Sequence, residues 1–324
     1  MANSAVVLDL ALVIPTWNDA EVLSRLLRQA ADMGCFAEVI VVDDGSDIPF
    51  RLPTDAAGMK LLRHDRPRGP GVARNNGLAA VSAPYVLFFD ADDLLTAELP
   101  DLVADLADEL RAGRGFDFCL FRHADSRVTA EERWGQPIWD EELWQQAGLS
   151  VAVLQAPPAE VWPVLARTAN YPWNKIYRTA FLHDNGIGLG ETLVHEDVVL
   201  HWLGFLAAER VLVSTRTCAW HRVSRQSGRL TNLCGPERLQ IFTPLEQVAT
   251  AMAAANLAWL QAFAIFALGL VDWNASIIIP PLRIRLRARE ADFLRTAMAD
   301  WPRRLESTDP ALARHLTDRM KGVG

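Results

Sequence analysis

The sequence predicts an α/β fold: a mostly parallel sheet with helices on both faces, followed by a helical C-terminal region. Three observations carry this. Short apolar runs at Leu8–Thr16, Glu38–Ser46 and Tyr85–Asp90 read as strands buried on both faces. Segments with helical periodicity alternate with them, the order of a parallel sheet with crossover helices. Each run ends in polar or acidic residues, and ligands of such sheets bind beyond the carboxyl ends of the strands.

Taken in order, "LDLALVIPT" is the first strand, stopped by Pro15. A helix follows, with Asn18 as N-cap, Gly34 as stop, and Val22, Leu23, Leu26 and Leu27 on one face. "EVIVVDDGS" is the second strand and "MKLLRH" the third. Gly69–Val81 opens with glycines and becomes a short helix; "YVLFFD" is the fourth strand, and Thr96–Gly113 a further helix. After Gly113 comes a strand at Phe116–His123, then a Trp-rich, irregular stretch to about residue 170. Tyr177–Gly186 reads as a short helix. His195–Arg210 reads as a longer one, with Val199, Trp202, Leu203 and Leu206 on its core face. "VLVSTRTCAWHRV" is a strand pair or a strand and loop, and the chain is helical from Pro236. The divisions expected are 1–115, 116–230 and 231–324.

The chain has 324 residues, enough for a sizeable core. A formal net charge of -8 argues against nucleic-acid binding by bulk charge. Cys35, Cys119, Cys218 and Cys234 form no C-x-x-C pair, so neither zinc nor redox chemistry is indicated. The N-terminus lacks a basic leader pattern, and the expected location is the cytoplasm. Gln247–Val271 carries no charge, but its alanines, Asn256 and Gln261 favour a buried helix over a membrane span. Pro281–Gly324 holds ten Lys+Arg and six Asp+Glu, a net of +4 that leaves -12 on residues 1–280. "PLRIRLRARE" within it suits peripheral contact with an anionic membrane.

Asp90, Asp92 and Asp93 arrive together at the end of an apolar strand. Clustered carboxylates repel one another, and a cation would offset that cost. Oxygen ligands suit Mg²⁺ or Mn²⁺, which complete their shells with phosphate oxygens, so a diphosphate is the implied partner. Asp43 to Ser46 make either a plain turn or a carboxylate for a nucleobase or ribose. "RGPGVARNNG" lacks the dinucleotide glycine spacing, though its Arg74 suits a phosphate. Glu196 and Asp197, read alone, are acidic decoration of a helix N-terminus.

"VIPTWN", "VVDDGS", "GVARNNGL" and "YVLFFDADD" occur in the order and spacing of family-2 glycosyltransferases of the GT-A fold, which the chain resembles over residues 9–120. "YPWNKIYRTAFLHDNGI" and "HEDVVLHW" extend the resemblance to about residue 230, toward bacterial enzymes building surface polysaccharides. The resemblance implies a Rossmann-like nucleotide-sugar domain and an inverting, metal-dependent transfer from a nucleoside-diphosphate sugar to a glycan or lipid-linked acceptor. It implies that Pro15, Thr16 and Asn18 border the base, that Asp44 bonds it, and that Arg74 lies near base or phosphate. Asp90 and Asp92 would hold Mn²⁺ or Mg²⁺, and Asp93 would meet the sugar or the metal shell. Asp197 would be the catalytic base beside Glu196, with Trp173, Asn174 and Lys175 near sugar or acceptor. Trp17 stands where relatives carry tyrosine or phenylalanine, and His221 where they carry tyrosine, before Arg222. The alternatives are a nucleotidyltransferase, disfavoured by the acidic "PTWNDAE" loop, and a non-catalytic sugar-binding protein.

Overall fold

The computed structural model describes residues 8–53, 58–127, 138–149, 153–222 and 230–322. The first half alternates as expected: β1 (Leu10–Thr16), α1 (Ala20–Met33), β2 (Glu38–Asp43), β3 (Met59–Arg63), α2 (Pro70–Ala79), β4 (Tyr85–Phe88), β5 (Leu94–Leu95) and α3 (Leu99–Arg111). Then come β6 (Phe118–Asp125), α4 (Ile138–Gln146), β7 (Leu154–Gln155), α5 (Trp162–Leu165), β8 (Lys175–Arg178), α6 (Thr179–Asp184), α7 (Asp197–Ala207) and β9 (Val211–His221). Helices α8 (Phe242–Ala251), α9 (Leu257–Ile277), α10 (Pro280–Ala297), α11 (Trp301–Leu305) and α12 (Pro310–Met320) complete the chain.

The strands form one sheet in the order β3-β2-β1-β4-β8-β6-β9-β5, with β7 paired to β9. Strands β3, β2, β1 and β4 are parallel, which the crossover helices α1 and α2 require. Beyond them the sheet is mixed. Strand β8 runs antiparallel to both β4 and β6, while β6 and β9 are parallel. The sequence hid β8 because it is four residues long, begins on a lysine, and runs two residues into the segment read as a helix. Val211–His221 is a single strand, Pro15 lies inside β1 opposite Val42, and α1 starts at Ala20, so Asn18 is not its cap. Gly34 does end α1, in the left-handed conformation.

Side chains of β1 alternate between two cores. Leu10, Leu12 and Ile14 face α1 and α3, with Leu23, Leu26, Leu27, Leu99, Leu102 and Leu106. Ala11 and Val13 face the other core, which α2, α6 and α7 share with the C-terminal helices. Residues 231–324 therefore extend the core of the sheet. Trp202 of α7 meets Phe263 of α9 edge-on, ring centroids 5.0 Å apart. Helix α7 is buried on more sides than its periodicity suggested: Val198, Leu200, His201 and Phe205 are enclosed, while Leu203 and Leu206 are half-buried. Helix α9 is long and apolar enough to cross a bilayer, yet it packs against α5, α7 and α11.

Helix α2 sits directly on β1 at Gly77, where a Cβ would fall 2.4 Å from Val13 Cγ1. Gly77→Ala is expected to destabilise the protein by about 1–3 kcal/mol through overpacking. The midpoint of urea unfolding measures this, and an unchanged midpoint would show that α2 shifts freely.

Candidate active site

The carboxyl ends of β1 and β2 are level, with Thr16 opposite Asp43, and β4 ends three residues short of them, with Phe88 opposite Val13. The loops leaving them share one rim. At the β2 end, the buried Asp43 accepts from the Ser46 and Phe50 amides at 2.9 and 3.1 Å and pairs with Arg63. Burial pushes against its charge, but these bonds hold its pKa below the usual carboxylate range. Ser46 Oγ then accepts from the Asn18 amide at 2.9 Å, and the Asn18 carboxamide exchanges two hydrogen bonds with Asp47. Asn18 thus ties the β1 and β2 loops together, in a left-handed backbone conformation (φ 57°). Thr16 Oγ1 is buried, without a hydrogen-bond partner among the described residues, and Trp17 is 45% exposed beside it.

Asp44, expected to bond a base, is engaged within the protein. It accepts from the Arg68 and Gly69 amides, at 2.8 Å for Gly69, and lies 2.6 Å from His64 Nδ1. These contacts occupy the roughly four lone-pair positions of a carboxylate. His64 must donate from Nδ1 to a carboxylate, which leaves its Nε2 to accept from Asn76 Nδ2 at 2.5 Å. Asp44 anchors the loop from β3 to α2, and a base bonded here would displace one of these donors.

Asp90, Asp92 and Asp93 follow β4, with carboxylate oxygens within 4.8 Å of one another. Their surroundings differ. Asp93 is 1% exposed, accepts from the Arg222 amide at 2.8 Å, and pairs with His221 Nδ1 at 3.0 Å. Burial raises its pKa. Burial also opposes the proton on His221, but the Asp93 carboxylate outweighs this and raises the imidazole pKa. His221 is also stacked on Trp173, with centroids 5.4 Å apart. Asp93 holds β9 to the rim and has no oxygen turned to solvent for a sugar. Asp90 and Asp92 are partly exposed. These two hard oxygen donors fit a divalent cation such as Mg²⁺ or Mn²⁺.

Arg74, expected at base or phosphate, is only 4% exposed. One Nη pairs with Asp90 and the other donates to Glu196 Oε1 at 2.8 Å. Burial alone would weaken its hold on the proton; the two carboxylates more than reverse that. Glu196 is the residue before α7 and Asp197 the first residue in it. Asp197 keeps part of its surface exposed at the rim. No hydrogen bond from another side chain reaches its carboxylate among the described residues. Desolvation and the neighbouring Glu196 push its pKa up to about 8, against the pull of Arg74 and Lys175.

The loop before α7 is held from two sides. Asn75 exchanges two hydrogen bonds with the Leu189 backbone, and a Cβ on Gly71 would fall 1.9 Å from Gly190 O. On the other side, Leu193 N donates to Gln240 at 2.8 Å and His195 Nε2 lies 3.1 Å from Asn274 Oδ1. His195 itself is left-handed (φ 63°), a conformation that costs a β-carbon residue on the order of 1 kcal/mol.

Trp173, Asn174 and Lys175, expected near sugar or acceptor, are at most 2% exposed. Trp173 stacks on Tyr171 and on His221, whose rings also meet each other, with His123 against its edge. Lys175 Nζ donates to Asn174 Oδ1 at 2.6 Å and to Tyr171 O at 2.9 Å. Burial lowers its pKa to about 7, with Asp197 and Asp140 pulling the other way. The triplet is the floor beneath the rim. Sequence reasoning missed His64, Asn75, Asn76 and His195, whose partners lie on other elements; the adjacent asparagines after Arg74 were the available signal.

Residues 11–154 match the model of glycosyl transferase family 2. This region is a family-2 glycosyltransferase domain. Its relatives include a pre-mycofactocin glycosyltransferase of Mycobacterium tuberculosis, 40% identical over 88 residues, covering 26% of this chain and 18% of that protein. The succinoglycan biosynthesis protein ExoU of Rhizobium meliloti is 32% identical over 111 residues, covering 30% of this chain and 32% of that one. The poly(ribitol-phosphate) β-N-acetylglucosaminyltransferase TarS of Staphylococcus aureus is 24% identical over 231 residues, covering 68% of this chain and 37% of that one. The matches thus span well under two thirds of these relatives. Residues 1–349 of S. aureus TarS, crystallised with UDP-GlcNAc, superpose with a TM-score of 0.72 at 20% identity, over 96% of this chain and 88% of that one. The fold, a mixed α/β sheet with a helical C-terminal region, is shared with it.

The Asp197 site has a cost in stability. Between the ordinary aspartate value near 4 and the folded value of about 8, the native state keeps a proton that the unfolded chain releases. Stability therefore falls as pH rises across that window. Asp197→Asn is expected to be more stable than the parent at pH 8, with the gap closing toward pH 4. Urea unfolding across pH measures it; a gap independent of pH would mean Asp197 ionises ordinarily.

Proposed function

We propose that the chain is an inverting glycosyltransferase that moves a sugar from a nucleoside-diphosphate donor to a hydroxyl of a glycan or lipid-linked acceptor in surface-polysaccharide assembly. The observation that carries this reading is the meeting of Asp90 and Asp92 with Glu196 and Asp197 around one buried arginine, on a family-2 domain. Asp197, partly exposed and with raised basicity, takes the acceptor proton as the acceptor oxygen bonds to the sugar's anomeric carbon. The bond from that carbon to the diphosphate oxygen breaks with its electron pair. One displacement from the face opposite the leaving group inverts the centre. Asp90 and Asp92 would hold Mn²⁺ or Mg²⁺, which supplies positive charge for the departing diphosphate. Thr16 Oγ1, Pro15, Asn18 and Trp17 line the place of the base.

TarS was crystallised with UDP-GlcNAc and with UDP, so a uridine diphosphate sugar is the first donor to test. In thermal-shift measurements with a panel of nucleoside diphosphates, the matching one at a hundred times its dissociation constant should add about 2.7 kcal/mol. Asp92→Ala should remove the Mn²⁺ dependence of that binding and abolish turnover while leaving the fold intact. Retained turnover would exclude Asp92 as a metal ligand. A nucleotidyltransferase would instead release pyrophosphate from a nucleoside triphosphate, and a non-catalytic sugar binder would leave the donor intact.

For the base, Asp197→Asn should leave donor binding near normal and lower turnover by ~10²–10⁴. In the parent, kcat/KM should rise with pH along a limb set by the Asp197 carboxyl, because the base acts ionised. A variant with parental turnover would make Asp197 structural.

Peripheral contact with an anionic cytoplasmic membrane belongs to the same reading. Of the four arginines in "PLRIRLRARE", Arg287 pairs with Asp272 and Glu290, and Arg289 lies over the Phe242 ring. Arg283 and Arg285 are exposed, with no ion pair among the described residues. Ile284 between them is 84% exposed, and Ile279 and Trp273 at the same end of the α9–α10 hairpin are 40% and 46% exposed. The protein should sediment with anionic vesicles at low salt and not at high salt. Arg283→Gln with Arg285→Gln should weaken this. Indifference to anionic vesicles at low ionic strength would end the docking reading.

A further inference from the structure

The loop that delivers Asp197 is completed by a residue 77 positions further on in the chain. His195 adopts a left-handed conformation two residues before the proposed base. Its ring is enclosed by the C-terminal region: Asn274 Oδ1 lies 3.1 Å from Nε2, Trp273 stands edge-on at 5.7 Å, and Arg238 Nη1 is 3.4 Å away. Each of these is itself fixed. Asn274 is fully buried, and its Nδ2 donates to Leu270 O at 2.8 Å. Its Oδ1 is therefore the end turned to the ring, and His195 donates from Nε2, so the Arg238 guanidinium, itself only a donor, packs beside that same nitrogen without bonding it. Arg238 is 1% exposed, donates to Leu233 O at 2.7 Å, and covers the Trp273 ring at 5.0 Å. A fully buried asparagine within an apolar helix such as α9 costs stability unless its hydrogen bonds are made. Here one goes to its own helix and the other to the turn before Glu196 and Asp197.

We propose that Asn274 is a positioning residue: by accepting from His195 Nε2 it holds the left-handed turn that aims Asp197 at the acceptor hydroxyl, so the C-terminal helices complete the catalytic apparatus. This rests on the reading of Asp197 as the base. A turn held by α9 also explains why a non-glycine residue stands at a positive φ there, since the side chain supplies what a glycine lacks.

The test compares Asn274→Leu, Asn274→Asp and the pair Asn274→Leu with His195→Gly, using a sugar donor built on the nucleoside diphosphate that stabilises the protein most in the panel above. Asn274→Leu should lower kcat by about 10²-fold, the usual cost of an ångström of misplacement, with nucleoside-diphosphate affinity unchanged. Asn274→Asp keeps an acceptor oxygen and should retain most of kcat. Glycine adopts the left-handed turn unaided, so adding His195→Gly to Asn274→Leu should recover part of the loss. Backbone amides of residues 193–197 should exchange faster in Asn274→Leu alone. If Asn274→Leu lowers the melting temperature but leaves kcat unchanged while Asp197→Asn is inactive, the proposal is overturned and the base assignment stands. Parental turnover in Asp197→Asn overturns both.

Discussion

One buried guanidinium joins the two halves of the site. Arg74 comes from helix α2, and its partners Asp90 and Glu196 come from the end of β4 and the start of α7. Without it, carboxylates from both halves would face one another in a partly desolvated rim, where like charges repel strongly. With it, the rim still carries excess negative charge, which a divalent cation would offset. His221 on Asp93 is a second internal partner for the carboxylates of the rim. The arrangement divides labour among residues that look equivalent in the sequence. Asp43, Asp44 and Asp93 build loops, whereas Asp90, Asp92 and Asp197 keep surface toward the cleft.

That division explains what the sequence could reveal. Strands β1, β2 and β4 were legible because parallel strands buried on both faces require short uninterrupted apolar runs, here bounded by turn residues and alternating with helical segments. The carboxylates at their ends were legible as positions. Their roles were not, because a role is set by partners far away in the chain: Glu196 lies 122 residues from Arg74, and His221 lies 128 from Asp93. Trp173, Asn174 and Lys175 illustrate this. The resemblance implies a place near sugar or acceptor, and only the structure, with Tyr171, His123 and His221 packed around Trp173, shows that the three are interior. Strand β8 was hidden for the same reason, since a lysine inside a central strand runs against every local preference.

The C-terminal helices change meaning in the structure. Read as sequence, they follow the recognisable domain and share none of its motifs. In three dimensions α9 lies against α7, and its last turn reaches the loop of the candidate base. The -12 charge of residues 1–280 and the +4 of the C-terminal segment are therefore close in space, with Arg287 and Arg319 satisfied by Asp272 and Glu290 within the helical region itself. The residues matched to the family model end at 154, well before the structural unit does.

The enclosure of Lys175 has a practical side. The chain's lysines are Lys60, Lys175 and Lys321, whose side chains are 49%, 0% and 61% exposed. An acylating or cross-linking reagent meets only the first and last of these on the folded protein, apart from the N-terminal amine. Lys175 acquires a label only when β8 leaves the sheet, and β8 sits between β4 and β6 at the centre. Mass increments at this one amine thus count openings of the sheet core against a constant background from the two surface amines. Amine-based immobilisation, for the same reason, tethers the molecule without touching the floor of the cleft.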